Sequence, residues 1–71
     1  LSGAKLIGAN FLNAFLRETN LQGADLTGAS FTSANLKGAN LKGAKLDGVK
    51  LDDAKLCNTI MPDGSINDSG C

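Results

Sequence analysis

The stretch that decides the fold reads Leu21-Gln22-Gly23-Ala24-Asp25-Leu26-Thr27-Gly28-Ala29-Ser30-Phe31. A large apolar residue recurs at every fifth position, and a small residue, usually Ala, stands two places before it. Extended in both directions, the large-residue series contains Leu1, Leu6, Phe11, Leu16, Leu21, Leu26, Phe31, Leu36, Leu41, Leu46, Leu51, Leu56 and Met61. The second series contains Ala4, Ala9, Ala14, Thr19, Ala24, Ala29, Ala34, Ala39, Ala44, Val49, Ala54 and Thr59. Neither series leaves its register, so residues 1–61 form one repeat array.

Neither a regular helix nor a flat strand can bury such a series on one side. Positions five apart lie about 140° apart around a helix, and each odd step along a strand changes face. A chain that turns a corner once per repeat can bury the series, because every large residue then points to the axis of a coil. Corners are expected at residues that tolerate positive φ, namely Gly3, Gly8, Asn13, Gly23, Gly28, Gly38, Gly43, Gly48, Asp53 and Asn58.

The number of faces in one coil follows from which residues stack. Three faces would stack residues fifteen apart, whereas four faces would stack residues twenty apart. Phe11 and Phe31 are twenty apart, and Lys5, Asp25 and Lys45 form a charge-alternating series at the same spacing. Four faces would explain both coincidences, so we expect Phe11 to lie against Phe31. We also expect the central apolar residues to be almost completely buried, namely Leu21, Ala24, Leu26, Ala29, Phe31, Ala34, Leu36, Ala39, Leu41, Ala44 and Leu46.

The recurring Ala-Asn/Asp-Leu pattern, as in residues 9–11, 24–26, 34–36 and 39–41, resembles the pentapeptide-repeat proteins over about residues 1–61. The resemblance implies an all-β fold, a right-handed quadrilateral β-helix. Seventy-one residues are enough for about three coils and a C-terminal cap, and we expect a β-helix over 1–56 and a cap over 57–71. The chain departs from the family pattern where Lys5, Phe15, Lys45, Lys50 and Lys55 replace Asn or Asp, and where Thr19 and Val49 replace Ala.

After Leu56 the register loosens, and Met61-Pro62-Asp63-Gly64 predicts a type I turn. Ile60, Met61 and Ile66 offer apolar bulk to cover the open end of the last coil. The stretch from Cys57 to Ser65 resembles the tails of cyanobacterial and plastid pentapeptide-repeat proteins, and this implies a disulfide-closed cap with Cys57 bonded to Cys71. The spacing is unlike that of a Cys-x-x-Cys redox pair. A stable bridge favours an oxidising compartment, the thylakoid lumen or a periplasm.

The composition argues against catalysis. The chain has no His, Trp or Tyr and only two Cys, so zinc ligation and Ser-His nucleophile chemistry lack their residues. We therefore predict no catalytic, cofactor-binding or metal-binding residue, no cofactor and no small-molecule substrate. Seven basic and seven acidic residues give zero net charge, so nucleic acid is not an expected partner.

Ile7, Leu12 and Phe15 are large apolar residues outside both core series. They either pack under an N-terminal cap or form a contact patch for a partner or a second copy. Because the repeat is already in register at Leu1, we expect further sequence upstream, and the chain contains no apolar run of transmembrane length. The predicted function is a non-enzymatic structural or protein-interaction module, such as an accessory subunit of a larger assembly with a protein partner in a membrane complex. The alternative is a DNA-mimicking topoisomerase-binding protein, which would need a long acidic rod.

Overall fold

The computed structural model describes residues 2–70, and its backbone turns once in every five residues. The turn falls two residues after each large apolar residue, where φ is positive, for example +71° at Gly28 and +60° at Asn13. Every predicted corner is confirmed. Two further corners lie at Glu18 (φ +58°) and Ser33 (φ +60°). Neither residue type predicts a left-handed backbone conformation. At these two positions the register of the array imposes the turn.

Residues twenty apart stack in parallel, which confirms the four-sided arrangement and excludes three sides. The backbone pairs Lys5 with Asp25 and Asp25 with Lys45, as predicted. The Leu6 N–H donates to the Asp25 carbonyl (2.8 Å), and the Asp25 N–H donates to the Ala4 carbonyl (2.9 Å). We refer to residues 2–20, 21–40 and 41–60 as the first, second and third segments.

Each of the four faces carries three pentapeptides stacked twenty residues apart. We name three faces after their exposed apolar residue in the first segment and the fourth after Pro62. The Ile7 face comprises residues 4–8, 24–28 and 44–48. The Leu12 face comprises 9–13, 29–33 and 49–53, and the Phe15 face comprises 14–18, 34–38 and 54–58. The Pro62 face comprises 19–23, 39–43 and 59–63.

The core lies along the axis and is completely closed only in the middle of the stack. The rings of Phe11 and Phe31 stack with centroids 4.8 Å apart and planes 6° apart, as predicted. The central apolar set is buried with one exception, since Leu46 is only half-buried and its prediction was wrong. Ile66, twenty residues further on, is 60% exposed and does not cover Leu46.

Side chains of Asn and Asp before the large residue support the corners. The Oδ1 atoms of Asn10, Asn20, Asn35 and Asn40 each accept the N–H of the residue two places later, at 3.0–3.1 Å. This Asx-turn bond gives a physical reason for Asn or Asp at that position of the repeat. Phe15 and the lysines at the same position have no oxygen with which to make it.

The C-terminal tail forms the two regular strands of the described residues, β1 (Thr59–Ile60) and β2 (Ile66–Asn67), which pair antiparallel. Ile60 also pairs in parallel with Asn40, so the stacking continues beyond Leu56. The predicted turn at 61–64 is present, closed by a bond from the Gly64 N–H to the Met61 carbonyl (2.8 Å).

The apolar residues at the C-terminal end of the stack are only partly covered, since Leu56 and Thr59 are buried there and others are not. The Gly70 N–H donates to the Leu56 carbonyl (2.9 Å), and the Met61 N–H donates to the Ser65 carbonyl (2.7 Å). These bonds attach the tail to the Phe15 face at Leu56 and to the Pro62 face at Met61. The expectation that Ile66 covers the core was wrong, because its side chain is exposed and the apolar residues at this end stay half-buried, namely Leu46, Val49, Leu51 and Ala54.

Candidate functional site

The predicted contact residues Ile7, Leu12 and Phe15 lie in the first segment, with 64%, 54% and 91% of their surfaces exposed. They occupy three different faces, so the structure does not gather them into one lateral patch. In the second segment their counterparts are Thr27, Thr32 and Asn35. Phe15 is the most exposed large apolar side chain of the described residues, and its face is therefore the first candidate for a contact surface.

The Phe15 face also carries the largest charge imbalance. It contains Arg17, Lys37 and Lys55 against the single acid Glu18, a net charge of +2. The other faces are nearly balanced. The Ile7 and Pro62 faces are neutral, and the Leu12 face carries −1.

A missing carboxylate in the third segment contributes to this imbalance. Lys45 and Lys50 are each followed two residues later by an Asp on the same face. Lys55 is followed by Cys57 instead. The third segment thus provides an acidic residue two places after each of the first two lysines but not after Lys55.

A cleft of about 270 Å³ opens on the Phe15 face, and among residues 2–70 no Asp or Glu belongs to its lining. Its lining residues are Arg17, Asn35, Lys37, Lys55, Cys57 and Gly70. Among residues 2–70, the charged groups of Arg17, Lys37 and Lys55 make neither an ion pair nor a side-chain hydrogen bond. The Asn35 Oδ1 accepts the Lys37 N–H at 3.1 Å, which leaves the amide NH₂ of Asn35 as a donor.

The perturbed carboxyl groups lie away from this cleft. Hydrogen bonds from the Thr27 hydroxyl and backbone lower the pKa of Asp25, with smaller contributions from Lys45 and Lys5. The hydroxyl and backbone of Ser65 lower the pKa of Asp63 in the same way. Both shifts belong to tight turns and keep the groups charged, so neither carboxyl is tuned for proton transfer at neutral pH.

No three side chains of His, Cys, Asp or Glu within residues 2–70 converge on a point that could hold a metal ion. Nor does this part of the chain contain a helix of the length and apolarity needed to cross a membrane. The chemistry available on the Phe15 face is binding by cationic and amide donors.

The sequence reading missed the basic residues of this face, although the signal was present. The twenty-residue offset aligns 15, 35 and 55 in one column and 17, 37 and 57 in the next. The offset also allows the basic residues to be sorted by face. Sorted in that way, Arg17, Lys37 and Lys55 stand together.

Comparison with known proteins agrees with this architecture. The family model described as Pentapeptide repeats (8 copies) matches residues 1–38 and 24–61. No curated protein matches the chain.

Two solved structures share both sequence and fold with it. HetL, a pentapeptide repeat protein involved in heterocyst differentiation regulation in the cyanobacterium Nostoc sp. strain PCC 7120, is 51% identical over 94% of this chain, with a TM-score of 0.92. A pentapeptide repeat protein of the Arabidopsis thaliana thylakoid lumen is 35% identical over 86% of this chain, with a TM-score of 0.67. The chain spans 32% of the first protein and 46% of the second.

The family match, the sequence identity and the four-sided stacking all indicate the same family. Pentapeptide repeat proteins form right-handed quadrilateral β-helices, and residues 1–61 carry the match. The chain belongs to the pentapeptide repeat family.

Proposed function

We propose that this chain is a non-enzymatic protein-interaction module and that the Phe15 face is its partner-binding surface. The observation that carries the proposal is Phe15 itself, 91% exposed where the family pattern places Asn or Asp. An exposed aromatic ring near Arg and Lys side chains that form no ion pair among residues 2–70 is typical of the residues that dominate binding energy at a protein interface. Members of the family are generally structural or interaction proteins, and HetL has a regulatory role.

An accessory subunit of a larger assembly is the finer form of this proposal. A stacked β-helix offers flat, rigid walls on which a partner can dock without ordering a loop. The DNA-mimicking alternative gains no support from surface charge, since the four faces carry net charges between −1 and +2.

For the architecture, we propose about three coils, one for each twenty-residue segment, with a β-helix over 1–56 and a cap over 57–71. The parallel pairings from Lys5 to Ile60 support this number of coils. The antiparallel pairing of β1 with β2 supports a distinct tail, although Ile60 belongs to both arrangements.

We further propose that a disulfide between Cys57 and Cys71 closes the cap. Cys71 lies outside the described residues. The bond from the Gly70 N–H to the Leu56 carbonyl brings together the immediate neighbours of the two cysteines, which supports the pairing. A persistent disulfide would place the protein in an oxidising compartment, the thylakoid lumen or a periplasm, and one similar protein comes from the thylakoid lumen.

The experiment that tests the interaction surface is affinity capture from the protein's own compartment with three matched variants. Phe15→Asn, Ile7→Thr and Leu12→Thr each introduce the residue found at the same position of the second segment. We expect Phe15→Asn to reduce partner recovery at least about tenfold, the loss typical of a hot-spot aromatic, while the other two variants retain the partner.

Thermal unfolding of the three variants separates binding from folding, because all three side chains are exposed and should leave Tm nearly unchanged. Recovery that falls equally in all three would reject the Phe15 face. If the unmodified protein recovers no stoichiometric partner, the interaction role itself is wrong.

A further inference from the structure

We propose that the cleft between Arg17, Lys37 and Lys55 is a binding site for a phosphate-class oxyanion. This inference does not rest on the interaction role above. It concerns the binding of an anion by basic side chains, which is a different chemistry from the docking of a protein partner on Phe15.

The three charged side chains that line the cleft, Arg17, Lys37 and Lys55, can only donate hydrogen bonds. The guanidinium of Arg17 presents a planar fork that matches two oxygens of one anion, and the ammonium groups of Lys37 and Lys55 add point charges. Asn35 contributes its amide NH₂, because its oxygen is held by the Lys37 N–H. This set is complementary to a multivalent oxyanion.

The volume of the cleft fixes the size of the ligand group. At about 270 Å³ it lies below the range of roughly 300–1,000 Å³ that holds a drug-sized molecule. A phosphate group fits within this volume. The ligand is thus one compact dianionic group, carried by a small molecule or by a phosphorylated side chain.

The frame of the cleft is fixed by the stack. Arg17, Lys37 and Lys55 come from three successive segments, and the pairing of Phe15 with Asn35 and of Asn35 with Lys55 sets the backbone spacing. The tail closes one end, where the Gly70 N–H donates to the Leu56 carbonyl. A side chain at Gly70 would stand 2.7 Å from the Leu56 nitrogen, so only glycine allows this close approach.

Glu18, the only acid of the face, stays outside the cleft. It is absent from the lining, and its Cγ lies 3.1 Å from the position that a Cβ on Gly38 would take. Its side chain lies against the corner at Gly38, and among residues 2–70 it forms no ion pair with the three cations.

The test is a titration of the ¹⁵N-labelled chain with inorganic phosphate at pH 7.5, with chloride at the same ionic strength as the reference. We expect saturable shifts at the amides of Asn35, Lys37 and Gly70 with phosphate and none with chloride. Shifts that stay linear, or that chloride reproduces, would overturn the site, because general screening of surface charge would then account for them.

The chain supplies its own matched control. Asn35-Leu36-Lys37-Gly38 and Asn40-Leu41-Lys42-Gly43 have the same local sequence and the same Asn-to-backbone bond, but only the first contributes to the cleft. We expect Lys37→Gln to weaken phosphate binding roughly fivefold, as expected for a charge-assisted contact at a partly exposed site. Lys42→Gln should leave the affinity unchanged, and an equal loss in both variants would reject the cleft.

Two further measurements identify the source of the anion and separate this proposal from the interaction role. Binding of a glycine-flanked phosphoserine peptide no tighter than free phosphoserine indicates a small-molecule ligand, and tighter binding indicates a phosphorylated partner. Both outcomes require the cleft. Phe15→Asn should leave phosphate affinity intact even where it abolishes partner recovery, because Phe15 does not line the cleft.

Discussion

The first and second segments carry the same repeat, yet only the second has a closed core. Leu26, Phe31 and Leu36 are fully buried, whereas Leu6, Phe11 and Leu16 at the same positions are half-buried. The residue types are the same, so the difference comes from neighbours. The second segment is covered on both sides, and the first is covered only by the second. In a solenoid of this kind, burial is a property of the stack and not of the repeat.

The backbone shows the same contrast. In the second segment Asp25 donates to Ala4, and the adjacent Leu26 donates to Lys45 (2.9 Å for both bonds). In the first segment Leu6 donates to Asp25, but the Lys5 N–H has no backbone acceptor among residues 2–70. The side of the first segment that faces away from the second is thus an open edge, able to pair with further backbone.

The largest expected effect is a difference in stability loss between truncation of Phe31 and truncation of Phe11, the two stacked rings. Phe31→Ala should reduce the free energy of unfolding by about 3–5 kcal/mol, since it opens a cavity in the closed core. Phe11→Ala should cost about half as much, because its ring is already partly hydrated. Chemical denaturation of both variants gives the two values. Equal costs would mean that something covers the first segment in the folded protein.

Reduction of the proposed disulfide should have the next largest effect. Closing a loop of about fifteen residues contributes roughly 3 kcal/mol, so a reductant should lower Tm by several degrees. Thiol titration of the unreduced, denatured protein should find no free thiol. The double variant Cys57→Ala/Cys71→Ala is the control, and its Tm should not respond to reductant. Two free thiols per chain would remove both the closed cap and the oxidising compartment.

Some losses of stability should not depend on whether a segment is covered on one side or on both. Gly8 and Gly28 lie at equivalent corners of the first and second segments, with φ of +70° and +71° and nothing within 4 Å of an added Cβ. Gly→Ala at either corner should therefore cost the same, about 1 kcal/mol, because the strain of a left-handed residue is local. Denaturation of the two variants measures it. A much larger loss of stability at Gly28 would show that the cost of a substitution at a corner also depends on whether neighbouring segments cover it.

The sequence was sufficient for the periodic part of the structure. A five-residue register fixes which residues point inward, and the offset between Phe11 and Phe31 fixes how they stack. The end effects could not be predicted in the same way. Leu46 has the same repeat environment in the sequence as Leu26, and its exposure depends on where the tail runs.

The candidate site shows a similar limit. Phe15 stands out in the sequence because it departs from the pattern, but Arg17, Lys37 and Lys55 are ordinary surface residues until they are placed on one face. The cleft also requires Gly70, whose position depends on a tail outside the repeat. Non-local geometry of this kind has no local signature.

The smallest expected effect concerns Asp25, which the stack places between Lys5 of the first segment and Lys45 of the third. Its pKa is lowered chiefly by the Thr27 hydroxyl (2.6 Å) and the Thr27 N–H, and less by the two lysines. Thr27→Val should therefore raise the pKa of Asp25 more than Lys45→Gln does, and Lys45→Gln more than Lys5→Gln. An NMR titration of the carboxyl carbon in each variant measures the order.

The sign of the linked stability follows from the direction of the shift. Because folding lowers the pKa of Asp25, its contribution to stability is present above the ordinary carboxyl value of 3.8 and is lost as the pH falls through the folded value. The gap in Tm between the unmodified protein and Thr27→Val should thus narrow as the pH falls below the ordinary carboxyl value of 3.8. If Lys45→Gln raises the pKa more than Thr27→Val does, the charge ladder between segments governs this carboxyl. The predicted order means instead that the hydrogen bonds from Thr27, within the second segment, are the main determinant of the Asp25 pKa.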